Sequence, residues 1–456
     1  MAHALPADPA LPHLARALDS ATMGSVFAGL LAGKTLLSCA VERVKYRPQR
    51  NCSISYRLRL LDREGRRFEQ LVTARVCSGG DSLRRYQQAL ARSALRSAAG
   101  PSLSHVAALD MVAFWLPNDA KLGATALLLD DEAMRRDVLP AVVAALTAGR
   151  DTLLHHRATL MQLVPELRLC ARVDLQLRAG TATVYAKADI ERGGAATLVV
   201  MQALYDSPAR VQGRLCMPQP LLWQADTGLH WQTAVAGRVL QEVHAEVAPH
   251  IAAAVATQLA ALHATPVAGL PALGAATLAQ QVDDSAALLA RVEPAWRQRL
   301  QTLAAWLQAG VPALAEEPHV TLHGDLHLNN ILVDGPRLAL IDFDSVCSGP
   351  AAIELGGWIA DMLYRCALQG SGPRRAAPSC RAFLASYAQA ANQPLVAAPL
   401  LAWSAVHALL CKRACRCVAN LKPGRYAVVP ALLAMAEAIA QRGSVDAVLA
   451  QMPEIA

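Results

Sequence analysis

Aromatic side chains are scarce in this 456-residue chain: seven Trp, eight Tyr and five Phe. Hydrophobic residues still make up 54% of it, carried largely by Ala and Leu, so a mainly helical, aliphatic globular core is expected. No charge-free apolar run approaches the roughly 20 residues of a membrane helix, so neither a membrane span nor a membrane partner is expected. The opening stretch MAHALPADPALPHLARALDS has no basic segment followed by an apolar block, and no secretory signal is expected from it. Disulfide spacing is also missing. The eleven cysteines are odd in number and scattered, which suits a reducing, cytoplasmic setting. The densest group, Cys411, Cys415 and Cys417, lacks the second paired cluster that a zinc site would need. A net charge of +7 is too small and too diffuse at this length to argue for a nucleic-acid partner.

What is present concentrates between His319 and Ser345, in HVTLHGDLHLNNILVDGPRLALIDFDS. Val320 to Leu322 reads as a short strand delivering a loop, His323 to Asn329. Ile331 to Val333 and Leu338 to Ile341 read as a hairpin around the turn Asp334-Gly335-Pro336. Closing that hairpin brings Asn330, before the first run, beside Asp342, after the second. Asp325 projects from the same loop. Mg²⁺ takes oxygen ligands and completes its shell with water and phosphates, so Asn330 and Asp342 suit it. Asp325 is left to accept a proton from a substrate hydroxyl. These are the parts that phosphoryl transfer needs. Two other readings compete: a plain surface hairpin, and a metallohydrolase cluster built on His323, Asp325 and His327 with Asp342 and Asp344. The second leaves Asn330 without work.

HGDLHLNNIL followed by LALIDFD resembles the catalytic loop and metal motif of the aminoglycoside phosphotransferase and choline kinase group, small-molecule kinases with a protein-kinase-like fold. The resemblance implies an α+β protein with two lobes, a small β-rich one and a large helical one. It makes Asp325 the catalytic base, Asn330 and Asp342 the Mg²⁺ ligands, ATP the phosphate donor and a small-molecule hydroxyl the acceptor. Glu354 falls where a carboxylate buttresses the catalytic loop in such enzymes, and is given a structural role.

Upstream, two stretches share one pattern. Ile54, Tyr56, Leu58 and Leu60 alternate with polar residues, a turn follows at Asp62 to Gly65, and Leu71 to Val76 returns before the helical SLRRYQQALARSALRS. Val173, Leu175 and Leu177 alternate likewise, Ala179-Gly180 turns the chain, and Thr183 to Ala186 returns before AATLVVMQAL. This reads as an internal duplication of a strand-turn-strand-helix unit, against the alternative of two unrelated hairpins. In the second copy VYAKAD resembles the small-lobe Lys motif, so Lys187 is expected on the nucleotide phosphates. Arg75 stands at the matching place in the first copy, which is expected to be structural or regulatory. No GxGxxG loop precedes Lys187, and the helix after it lacks a Glu to pair it; Glu191, in the connecting loop, is the nearest candidate. TAVAG resembles the lobe linker that holds adenine through its backbone, which nominates Thr233 and Val235. Residues 9–40 read as helical, and the stretch from 103 to 160 as loop and helix.

The expected organisation is an N-terminal α+β extension at 1–160, read as a duplicate of the small lobe, a small lobe at 161–236 and a large helical lobe at 237–456. From Gly357 onward there are ten bases against four acids, a net +6. Such a field repels a polycationic aminoglycoside and favours a neutral or anionic hydroxyl compound such as a sugar or sugar derivative. The rival function is a non-catalytic, nucleotide-binding regulator of pseudokinase type.

Overall fold

The computed structural model describes residues 5–31, 33–90, 95–244, 246–421 and 424–451. Two five-stranded antiparallel sheets dominate the first half. The first is built from β1 (Thr35–Arg47), β2 (Asn51–Leu61), β3 (Arg67–Cys77), β4 (Leu103–Val106) and β5 (Met111–Trp115), in the order β1-β2-β3-β5-β4. The second uses β6 (Leu153–Val164), β7 (Arg168–Leu177), β8 (Thr181–Asp189), β9 (Pro220–Gln224) and β10 (Leu229–Thr233), in the order β6-β7-β8-β10-β9. The two orders are the same. Each sheet also places a helix after its third strand, Ser82–Leu90 in the first and Ala195–Tyr205 in the second, packed on its own last two strands; in the second a short helix, Pro208–Val211, follows. Residues 91–94, the middle of the expected first helix, lie outside the described residues.

Period-two alternation builds both sheets. Cys52, Ile54, Tyr56, Leu58 and Leu60 of β2 are buried, as are Leu169, Ala171, Val173, Leu175 and Leu177 of β7. The helices Leu14–Leu18 and Ser20–Ala28 cover the first sheet. Phe27 meets Tyr56 and Trp115 edge-on at 5.1 and 5.6 Å, and the Tyr56 hydroxyl donates to the Ala17 carbonyl. The helical reading of 9–40 holds only to Ala28. From Thr35 the chain is strand, because Leu36, Val41 and Val44 pair with Leu60, Tyr56 and Ile54 across the sheet. Strands β4, β5 and β6 also stand where loop and helix are expected. All five residues of β5 are buried, so it shows no alternation to read.

The two sheets differ in what they pack against. The second has its own core, completed by Leu128, Met134, Val138, Leu139 and Val142 from the segment 124–147. The first sheet's core runs without a break into that of the helical half, and β1 lies on the helix Cys415–Asn420.

The second half is helical, around Pro249–His263, Ala275–Val292, Arg297–Ala315, Ala352–Leu368, Ala377–Ala391, Ala398–His407 and Val429–Arg442. Trp358 stacks on Phe383 at 4.6 Å. Gly356 lets Ala352–Leu368 approach Ala398–His407 closely; a Cβ there would strike Ser404 and the Ala405 backbone. Small strands interrupt the helices: β11 (Arg238–Val239), β12 (His319–Leu322), β13 (Ile331–Asp334), β14 (Arg337–Leu340) and β15 (Cys347–Pro350). Among the described residues no helix is long and apolar enough to cross a membrane, and all eleven cysteines are unpaired.

Candidate active site

The hairpin forms as its residues dictate. Asp334 pairs with Arg337 around Gly335-Pro336, and Ile331 pairs with Leu340. The Ile341 N–H donates to the Asn330 carbonyl at 3.0 Å, so the residues flanking the two strands meet. Strand β12, paired with β15, delivers the loop 323–330 to the same place.

Three contacts hold that loop. Glu354, fully buried, accepts the His323 N–H at 2.8 Å and the Gly324 N–H at 2.7 Å, and its Oε2 lies 3.0 Å from His263 Nε2. Burial opposes its charge, but these contacts outweigh it and hold its pKa below the ordinary value. His323 Nε2 lies 3.0 Å from the Ile341 carbonyl, tying the loop to the hairpin's exit. Gly324 sits at φ +82, and a side chain there would collide with the Ser345 carbonyl.

The loop brings Asp325, Asn330 and Asp342 into one cleft. Asn330 is buried and donates Nδ2 to the Asp325 carbonyl at 3.0 Å, leaving its Oδ1 for another partner. Asp342 adopts a left-handed backbone, φ 70, which Asp tolerates better than most residues, and this aims its carboxylate back at the second sheet. There Lys187, on β8, lies 2.5 Å from Asp342 and 2.6 Å from Asp344. Burial works against the ammonium, yet Asp344 and Asp342 outweigh it and raise its pKa. Of the two carboxyls, Asp342 is lowered and Asp344 raised: both are desolvated and one lysine serves the pair. Glu191 does not reach Lys187, whose charge is met by Asp342 and Asp344. Arg192, next in that loop, spans to the Asp344 carbonyl and to Ser345 Oγ instead.

Asp325 has neighbours that its loop does not reveal. Arg416 Nη2 lies 2.7 Å from Oδ1, His327 Nε2 lies 3.6 Å from Oδ2, and Lys412 Nζ donates to the Gly324 carbonyl at 3.0 Å. Burial would raise this carboxyl, but His327, Arg416 and Lys412 hold it far below the usual range, so it stays ionised. Arg416 and Lys412 enter the sequence reading only as part of a net charge. Their spacing in LLCKRACRC, four apart on a helix and so on one face, was the available signal.

The linker nominees sit at the end of β10. Thr233 gives its N–H to the Gln219 carbonyl at 2.9 Å and its Oγ1 accepts the Gln219 N–H, so its backbone N–H is already committed. Val235 lies beyond the strand, half-buried, with no backbone hydrogen bond to a described residue. His230, across from Lys187 on β10, is buried with neither ring nitrogen paired; burial, with Lys187 nearby, pulls it down to about 4 and keeps it neutral. Arg75, the counterpart of Lys187, pairs at 2.8 Å with Glu166 in the turn between β6 and β7. The first sheet thus grips the second by the turn that carries no glycine.

The metallohydrolase reading does not fit. His323 faces a carbonyl and His327 Nδ1 accepts the Asn329 N–H. Among the described residues no three of His, Cys, Asp and Glu gather as a metal cluster.

A β-rich lobe bearing a strand lysine, a linker, and a helical lobe carrying the loop and hairpin together make a protein-kinase-like α+β fold. The phosphotransferase enzyme family model matches residues 195–371, which contain the loop, the hairpin and Glu354. The resemblance to the aminoglycoside phosphotransferase and choline kinase group holds over that segment. Homoserine kinase of Pseudomonas aeruginosa is 39% identical over 113 residues, covering 24% of this chain and 31% of the relative. Choline kinase from Cryptosporidium parvum shows a TM-score of 0.46 at 11% identity, over 63% of this chain and 89% of its own. Aminoglycoside phosphotransferase APH(4)-Ia gives 0.44 at 15%, over 63% and 95%.

Proposed function

We propose that this chain transfers the γ-phosphoryl group of ATP to a hydroxyl of a small molecule, in the reducing setting that eleven unpaired cysteines suit. The observation that carries the reading is the convergence of Asp325, Asn330 and Asp342 from one loop and hairpin, with Lys187 reaching in from the other lobe. The acceptor oxygen forms the new bond to phosphorus, the bond from phosphorus to the β,γ-bridging oxygen breaks, and ADP leaves. Asp325 orients the hydroxyl and takes its proton. Lys187 offsets phosphate charge, and the end of β10 at Thr233 and Val235 holds the base through backbone groups. Hard oxygen donors on Asn330 and Asp342, with Asp344 adjacent, fit Mg²⁺, which would neutralise charge on the phosphates when bound. Most of the acceleration is then positioning and electrostatics. The acceptor is a hydroxyl compound such as a sugar or sugar derivative. A polycation is disfavoured by Lys412 and Arg416 beside Asp325.

A second reading, a nucleotide-binding regulator without turnover, is favoured by Arg416 sitting on Asp325 and by the missing helix Glu. Calorimetry separates them. Magnesium-dependent ATP binding, weakened tenfold or more by Asp342→Ala, together with phosphorylation abolished by Asp325→Ala, is the expected result. Binding without any turnover over a broad hydroxyl panel would favour the regulator, and no binding would reject both.

A further inference from the structure

Three bases follow each other along one helical stretch, and their partners differ. Arg413 is buried and lies 3.1 Å from Asp361, which Arg365 also contacts at 3.3 Å, so that charge is met inside the protein. Lys412 is different. Its ammonium reaches only the Gly324 carbonyl, with no carboxylate in contact among the described residues, and burial lowers its pKa. Arg416, one turn on, holds Asp325, the carboxylate that the chemistry needs for the hydroxyl proton. Its side chain is 42% exposed and so has room to move. A desolvated ammonium with spare donors, beside a part-exposed guanidinium parked on the catalytic carboxylate, is a site short of one negative charge.

We propose that the acceptor carries an anionic group, a carboxylate or a phosphate, which Lys412 and Arg416 grip. Its arrival draws Arg416 off Asp325 and frees that carboxylate to receive the hydroxyl proton. This rests on the phosphotransferase reading and names the acceptor class for the same site. The four-residue spacing puts both cations on one helical face, and both already touch the backbone or side chain of the Gly324-Asp325 pair. The group would sit within reach of the base while the hydroxyl faces it. Arg416 then acts twice, as a specificity residue when the anion is present and as a brake on Asp325 when it is not.

The test uses the full chain with Mg²⁺ and ATP, and acceptors matched in pairs: glucose with glucuronate and with glucose 6-phosphate, and glycerol with glycerate. The quantity read is the ratio of kcat/KM, charged member over neutral member. In the wild type at least one pair should favour the charged member about tenfold or more, the value of one charge-assisted hydrogen bond. Arg416→Gln and Lys412→Met should collapse that ratio towards one, and Arg416→Lys should restore part of it. Should Arg416→Gln change KM for ATP and leave the acceptor ratio as it was, the two cations serve the nucleotide and the proposal is wrong. It is also wrong if ATP binding is intact and the charged members are used no better than the neutral ones, or not at all. Absence of magnesium-dependent ATP binding in the wild type would instead bring down the kinase reading, and this proposal with it.

Discussion

Single side chains in this molecule hold the reactive loop by satisfying backbone groups. Glu354, itself buried, takes two consecutive N–H groups, from His323 and Gly324. Glu354→Ala leaves both donors unpaired, and roughly 3 kcal/mol of stability should be lost, measured as a lowered urea midpoint with a fall in kcat. Two buried histidines contribute to the acid sensitivity. His407 is stacked on Trp403 at 5.0 Å, and burial, with Lys412 beside it, pulls its pKa down to about 3. His230 is held at about 4 by burial and Lys187. Between those values and the ordinary 6.5 or so, the unfolded chain takes up protons that the folded chain refuses. The stability these residues contribute is therefore complete above about pH 6.5 and is lost as pH falls towards 4 and then 3. His407→Phe keeps the stacking surface, and it should reduce the difference between urea midpoints at pH 7 and pH 5.

At the scale of elements, the turn between β6 and β7 shows how the first sheet serves the second. Kinases cover the nucleotide phosphates with a glycine-rich loop whose backbone is free to approach them. Here the turn is Pro165-Glu166-Leu167. Glu166 sits at a positive φ of 61, Arg75 holds its carboxylate, and Asp119 accepts its N–H at 3.2 Å. A turn pinned from outside needs no glycine to be ordered. Arg75→Ala should loosen it and raise KM for ATP several-fold, with less effect on KM for the acceptor. Equal effects on both would place the role of Arg75 in general stability. Close helix packing gives a further check: Gly356→Ala forces a methyl into Ser404 and should cost about 1–3 kcal/mol, read by thermal unfolding.

For the whole molecule, the division of the core matters more than the division of the sequence. The second sheet is folded around its own apolar cluster, while the first shares one with the helical half. Removing residues up to Asn118 would strip Tyr56, Trp115 and the rest of that sheet from the helices, and uncover the face of Cys415–Asn420 on which β1 lies. A chain so truncated should aggregate or bind a hydrophobic dye strongly, whereas a well-folded monomer would show the first sheet to be a separable appendage. The basic character of the last hundred residues also takes form at this scale. Arg413 and Arg365 are spent on Asp361, while Lys412 and Arg416 face Asp325; Lys422 and Glu454 lie outside the described residues.

Contacts close in sequence were legible without a structure. The loop and hairpin from His319 to Ser345 follow from two apolar runs and an Asp-Gly turn, and they bring Asn330 to Asp342 through local pairing alone. The alternating strands β2, β3, β7 and β8 were readable for the same reason, since period-two burial is written in neighbouring residues. Strand β1 was not, because its apolar run suits a helix until β2 supplies the hydrogen bonds, nor was β5, which is buried on both faces. Tertiary structure alone decided which carboxylates meet Lys187, since Asp342 and Asp344 stand more than 150 residues away and Glu191 only four. It also decided that Arg416 rests on Asp325, 91 residues earlier. A charged side chain carries no local mark of its partner; the partner is set by where the packed core leaves each backbone, and burial then makes that pairing obligatory.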